Sequence, residues 1–357
     1  MSKKYNILIM GASYGSLLAS KFLLAGHSVK LVCLPAEVEL INAEGILIKM
    51  PIRGRAELVE IDSRKAPGIL SACSPGEAIP AEYDLVVLAM QEPQYRNPAV
   101  RDLLDRVAAA KIPCMSIMNM PPFPYLARIP GVDVASIRSS YADPTVWDKI
   151  DPALMTLCSP DPQAFRPPQD KVNVLQVRLP TNFKAARFES DAHTAMLKQL
   201  EADIMAIRFD AGDGTLIELP VKLKVSESVF VPLAKWSMLV AGNYRCIQEH
   251  AIRSAKEAVH TNIEESREIY NWVIDLCKSL GATDKELVPF EKYADAAQML
   301  ESPSSAARAL FAGAPNIERV DLLVKTLAMQ KNMKSKFVDE IVGLVDARLD
   351  ANRRALA

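Results

Sequence analysis

A glycine-containing run, Gly11-Ala12-Ser13-Tyr14-Gly15-Ser16, sits between an apolar stretch at residues 5–10 and a helix-compatible stretch at 16–25. Backbone amides at the start of a helix can hold a phosphate, and glycines let it come close. The run aligns with the dinucleotide pattern G-x-G-x-x-G after deletion of one residue. It reads either as a cradle placing a pyrophosphate over Gly11, Ser13 and Ser16, or as a tight turn that needs Gly11 only for its conformation. Coenzyme choice normally shows at the end of the next strand, as an acid for ribose hydroxyls or an arginine for an extra phosphate. Here that place reads Val32-Cys33-Leu34-Pro35-Ala36-Glu37. Glu37 could reach a ribose hydroxyl, but as an exposed glutamate opening a helix it is also accounted for by the helix dipole.

These residues need a scaffold, and the first ninety residues supply βαβ units: a strand at 5–10, an amphipathic helix at 16–25 stopped by Gly26, and a strand at 27–33. Further apolar strands are predicted at 84–89 and 113–118, with a helix at 98–110 between them. Short apolar strands joined through helices form a parallel sheet covered on both faces. The proline-rich stretch 120–124 follows a strand's carboxyl end, where open α/β sheets place their ligands. A weak strand at 172–177, a helix at 193–207 and a turn at 209–215 between two extended segments come next. Residues 229–280 then read as almost continuous helix, including His250 and His260, and 319–354 as helix again. The expected architecture is α/β, an N-terminal Rossmann-type doubly wound parallel sheet (1–226) followed by a mostly α-helical domain (227–357).

Composition agrees: 357 residues allow two cores, half are hydrophobic, 24% are charged, and acids and bases nearly cancel to −1. That balance argues against disorder and against a nucleic-acid partner. Six cysteines without CxxC spacing point to a reducing cytoplasm without disulfides, and four scattered histidines to no metal site. The first apolar run is too short for a secretory signal, and no run approaches the roughly 18 apolar residues of a membrane span.

With Gly11, the helix running to Gly26-His27, and the strand Asp84-Leu-Val-Val-Leu-Ala-Met90 in place, the chain resembles the ketopantoate reductase (2-dehydropantoate 2-reductase) family as a divergent member. The resemblance covers most of the length, unevenly. It implies an oxidoreductase of pantothenate biosynthesis that uses NADP(H), with Gly11 to Ser16 and Asn119 at the coenzyme. It also implies a catalytic lysine at Lys235, near the start of a long helix, with Asn243 eight residues on. Residues four apart share a helical face, so both can point one way. Ser304, Ser305 and Glu318 match the family's substrate-binding serine and glutamate, with Asp321 as the competing acid. Departures are equally definite: Leu34 stands where the family has an arginine, Gln91 where it has a phosphate-binding lysine, and Leu239 where it has an asparagine. The first two remove positive charge and leave NAD(H) open as the coenzyme. The third points away from ketopantoate as the substrate.

The chemistry implied is hydride transfer to a 2-oxo acid carbonyl, with Lys235 as general acid, Asn119, Asn243 and Ser305 orienting the acid and Glu318 accepting from a substrate hydroxyl. Two other readings stand beside it: an opine-type or other dehydrogenase of a larger or more apolar 2-oxo acid, and a non-catalytic nucleotide-binding homologue. The long helices could also supply a homodimer interface.

Overall fold

The computed structural model describes residues 3–356. Among them, strands form in the order β1 (Asn6–Met10), β2 (Ser28–Val32), β3 (Leu47–Met50), β4 (Val59–Asp62), β5 (Leu70–Cys73), β6 (Leu85–Leu88), β7 (Cys114–Ser116), β8 (Met155–Ser159), β9 (Gln163–Phe165), β10 (Val174–Leu179), β11 (Phe183–Ala186), β12 (Phe209–Asp210), β13 (Leu216–Ile217) and β14 (Leu223–Ser226). The large sheet has eight strands in the order β14-β11-β8-β7-β6-β1-β2-β5. From β5 across to β8 every pairing is parallel, and β8 with β11 is antiparallel. β1 therefore lies between β2 and β6, so the chain leaves it to one side and returns on the other. Such a reversal opens a crevice at the strands' carboxyl ends.

Two compact units divide the chain: Met1–Met90, Gln94–Tyr125 and Val146–Val229 form one, and Gln91–Pro93, Leu126–Thr145 and Phe230–Ala357 the other. The first unit holds all three sheets and the helices α1 (Gly15–Leu24), α2 (Pro35–Glu44), α3 (Pro98–Ala109) and α5 (Asp191–Met205), with the single turn α4 (Phe123–Leu126) at the edge of the division. A second sheet, β4-β3-β10-β9, was not foreseen. Its strands are short and its central pair, β3 with β10, joins segments far apart in the chain. It changes the character of α1. That helix was expected to be amphipathic, but Gly15 through Leu23 are all buried, because Ile48, Ile61 and Leu175 of the small sheet and Leu197, Leu200 and Ile204 of α5 join the same core as Leu17, Leu18 and Phe22. A helix covered all round has no polar stripe to show.

The second unit carries α6 (Lys235–Met238), α7 (Ala255–His260), α8 (Ile263–Leu280), α9 (Phe290–Ala297), α10 (Ser305–Phe311), α11 (Val320–Gln330) and α12 (Lys336–Leu356). The continuous helix expected over 229–280 is replaced by a chain of short turns before α7 and α8, and His250 lies in an exposed turn outside them. Two side-chain caps restart the helix, Ser254 accepting from the Glu257 N–H and Asn262 from the Glu265 N–H. The turn predicted at 209–215 is a hairpin of β12 and β13, with Asp210 accepting from the Gly212 and Gly214 amides. All six cysteines are free, and among the described residues no helix is long and apolar enough to cross a membrane.

Burial of α1 traps one cation. Lys21 is 1% exposed and its ammonium donates to the Pro220 carbonyl at 2.6 Å. Burial, then the nearby Lys222 charge, pulls its pKa from 10.5 down to about 7. A lysine depressed in the folded chain is protonated more readily after unfolding, so stability rises as pH climbs from about 7 towards 10.5. Lys21→Met should remove that rise, which is worth at most about 5 kcal/mol. Urea unfolding of both proteins at about pH 7 and about pH 9.5 measures it; an equal pH dependence for the two would show that Lys21 keeps its proton in the folded chain.

Candidate functional site

The glycine loop leaves the carboxyl end of β1 under tight constraint. Gly11 has φ +110°, its amide donates to the Val32 carbonyl at 2.9 Å, and a Cβ there would come within 2.8 Å of the Ala89 carbonyl and 2.7 Å of Met90 Cγ. Only glycine fits. A Cβ already present at Gly15 would crowd Ile9 Cγ2 at 2.7 Å. The turn closes through Ser16 N–H to the Ser13 carbonyl and the Ser16 hydroxyl to the Ala12 carbonyl. Tyr14 turns inward, edge-on to Phe183 with centroids 5.8 Å apart, its hydroxyl donating to the Pro162 carbonyl at 2.6 Å. Ser13 is exposed, and the amides of Ser13, Tyr14 and Gly15 enter no backbone bond. Three amides at a buried helix start, with an exposed serine beside them, are a donor set that suits a pyrophosphate.

Elsewhere in this unit, Asn119 lies in a bend just past β7, half-buried. Leu34, where the family has an arginine, is 69% exposed. Glu37 departs from its expected exposure. Its side chain is only 13% exposed, its carboxylate 2.5 Å from Arg166 and accepting from the Leu34 N–H at 3.2 Å. Arg166 follows β9, so no motif around residue 37 could have announced it.

In the second unit Lys235 opens α6, half-buried beside the fully buried Trp236. After α6 the helix widens into a π-helical stretch, Leu239–Asn243, in which the Tyr244 N–H bonds back to the Leu239 carbonyl. Eight residues of pure α-helix would carry Asn243 about 80° past Lys235, and a wider turn reduces that angle. The widening has its own support: the Tyr293 hydroxyl donates to the Met238 carbonyl at 3.1 Å, and only a glycine at 242 leaves room for it. π turns are uncommon and concentrate at functional sites.

Residues from three separated stretches are then tied together. Ser304, the N-cap of α10, donates to the Asn243 carbonyl at 2.7 Å and accepts from the Ala307 N–H. Tyr244 donates to the Glu318 carbonyl at 2.5 Å and accepts from the Val320 N–H at 2.9 Å. Asn243, Ser304 and Glu318 are thus held as a group. Ser304 is occupied in this tie, whereas the neighbouring Ser305 is exposed. Asp321 is 0% exposed, with both carboxylate oxygens engaged by Arg319 at 3.0–3.3 Å. Gln91 is exposed just beyond β6. Among the described residues no group of histidine, cysteine, aspartate and glutamate could hold a metal ion.

No protein-family model and no curated protein sequence matches the chain. Solved structures do. A D-mandelate dehydrogenase, in a ternary structure with NADH and anilino(oxo)acetate, superposes with TM-score 0.63 at 14% identity, covering 98% of this chain and 99% of that one. The 2-dehydropantoate 2-reductase of Methylococcus capsulatus gives 0.64 at 14% identity over 96% and 97%. The dimeric ketopantoate reductase of Staphylococcus aureus gives 0.61 at 10% identity over 97% and 99%. The chain has the ketopantoate reductase fold.

One residue within this ketopantoate reductase fold escaped notice in the sequence. Glu92 is 2% exposed, both its carboxylate oxygens accept from the Ala142 N–H at 3.2 Å, and its own N–H points to Glu318 Oε1 at 3.4 Å. Burial pushes its pKa up to about 7; the Ala142 amide works against that shift and the Glu318 charge adds to it. A carboxyl raised in the folded chain keeps a proton that the unfolded chain releases, so stability falls as pH rises from 4.5 to about 7. Glu92→Gln should flatten this fall. Thermal unfolding at about pH 5 and about pH 8 should show the wild-type chain losing up to about 3 kcal/mol more than the variant. Parallel losses would mean that Glu92 is ionised throughout.

Proposed function

We propose that the chain is an NAD(P)H-dependent reductase of 2-oxo acids. The observation that carries this reading is the group formed by Asn243, Ser304 and Glu318 around Tyr244, on the same helical run as Lys235. The fold shared with D-mandelate dehydrogenase and the ketopantoate reductases supports it. A bound nicotinamide coenzyme supplies the hydride. The amides of Ser13, Tyr14 and Gly15 hold its pyrophosphate, and Asn119 orients the reacting groups. As the substrate carbonyl oxygen gains charge, the Lys235 ammonium stabilises it and gives up a proton. The Asn243 carboxamide and the Ser305 hydroxyl hold the acid, and the Glu318 carboxylate accepts from a substrate hydroxyl or amide. Ser304 and Asp321 take structural parts instead, the first fastening Asn243 and the second neutralising Arg319.

Leu239 favours one class of acid within this reading. It is apolar, 3% exposed, and stands between Lys235 and Asn243 along the helical run. A larger or more apolar 2-oxo acid than ketopantoate suits a position where the family's asparagine is replaced by leucine.

Titration with NADPH and NADH, followed by Trp236 emission and by calorimetry, should give micromolar binding of at least one coenzyme. A panel of 2-oxo acids should then show coenzyme oxidation, with Lys235→Ala lowering kcat about 10²–10⁴-fold and leaving coenzyme affinity unchanged. Absence of binding by calorimetry would end the reductase reading, and full activity in the Lys235 variant would move the general acid elsewhere.

A further inference from the structure

The ion pair at the tip of β2 has a place and a chemistry that neither residue shows alone. Glu37 sits in the first turn of α2, directly beyond β2, and β2 is the neighbour of the strand that ends in the glycine loop. In dinucleotide-binding sheets the adenosine ribose lies over this strand end. A glutamate opening a helix is ordinarily solvated, yet this one is 13% exposed and held from two sides, by Arg166 and by the Leu34 amide. A carboxylate accepts about four hydrogen bonds, so two remain for ribose hydroxyls. The stretch that delivers Arg166 also touches the glycine loop, because Pro162 accepts from Tyr14 and β9 occupies the residues between. Arg178 lies over the Phe165 ring, its guanidinium 4.2 Å from the centroid, which fixes the strand next to Arg166. Cys33 completes the tip: burial pushes its thiol up to about 12, Glu37 adds to the shift and Arg166 opposes it, so both charges face the same half-buried spot.

We propose that this pair sets the choice of coenzyme: Glu37 accepts hydrogen bonds from the adenosine ribose hydroxyls, Arg166 positions it, and the chain therefore takes NAD(H) in preference to NADP(H). A 2′-hydroxyl can donate to Glu37. A 2′-phosphate can only accept, and it would face a carboxylate beside an arginine whose charge is already balanced, with Leu34 and Gln91 supplying none. This inference rests on the reductase reading, since it needs a dinucleotide over the glycine loop.

Calorimetry with NADH and NADPH on the wild-type chain, Glu37→Gln and Arg166→Ala tests it, with thermal unfolding recorded for each. Wild type should bind NADH at least about tenfold more tightly than NADPH. Glu37→Gln should shrink that ratio about tenfold by weakening NADH alone, and Arg166→Ala should shift it the same way. If Arg166→Ala does not fold, Arg166→Lys, which keeps the charge but loses the fork, serves in its place. Tighter NADPH binding that disappears with Arg166, or an equal loss for both coenzymes in each variant, would overturn the assignment while leaving the reductase reading intact. Binding of neither coenzyme to the wild-type chain would remove the reductase reading itself and the assignment with it.

Discussion

The carboxyl edge of the large sheet depends on how closely the backbone packs at Gly11. Its amide is bonded to the end of β2, and the space where a side chain would go is filled by the end of β6. Three adjacent strands are locked to one another through a residue without a side chain. The left-handed φ required there turns the chain so that α1 begins four residues later. Gly11 sets the turn and Gly15 lets the helix lie against Ile9.

The second unit solves a similar problem with a side chain instead of its absence. Tyr244 is 3% exposed and its hydroxyl both donates to and accepts from the backbone around Glu318. Burial, followed by the charges of Asp321 and Glu318, raises its pKa well above the usual phenol value. The hydroxyl therefore keeps the proton that it must donate. Around it the acids divide their tasks: Asp321 balances Arg319, Glu318 stays on the side of Glu92, and Glu92 is held by the chain at Ala142.

Much of this was legible in the sequence, and the exceptions have physical causes. β1, β6 and β7 were readable because strands covered on both faces are mostly apolar, β2 because apolar residues flank its one lysine, and Gly26 was readable as the stop after α1. The small sheet was not, since its pairing joins residue 47 with residue 174 and no local pattern encodes that. Its presence is also why α1 lost the polar face expected of it. The break in the helix near residue 247 had a signal, the capping box from Ser254 to Glu257, at odds with an almost continuous helix over 229–280. Glu92 was missed, and Glu37 read as exposed, for one reason: each is defined by a partner on a distant stretch, Glu318 and Arg166.

The π-helical stretch gives the chain a way of changing phase. An α-helix advances every side chain by a fixed angle, so a residue count translates directly into a direction; a wide turn takes up an extra residue and breaks that translation. The side chains of Leu239 to Asn243 are therefore assigned to faces by the turn and not by their count from Lys235. Deleting a single codon here would let the helix regularise, and everything from Tyr244 onward would be re-aimed although only one residue had gone.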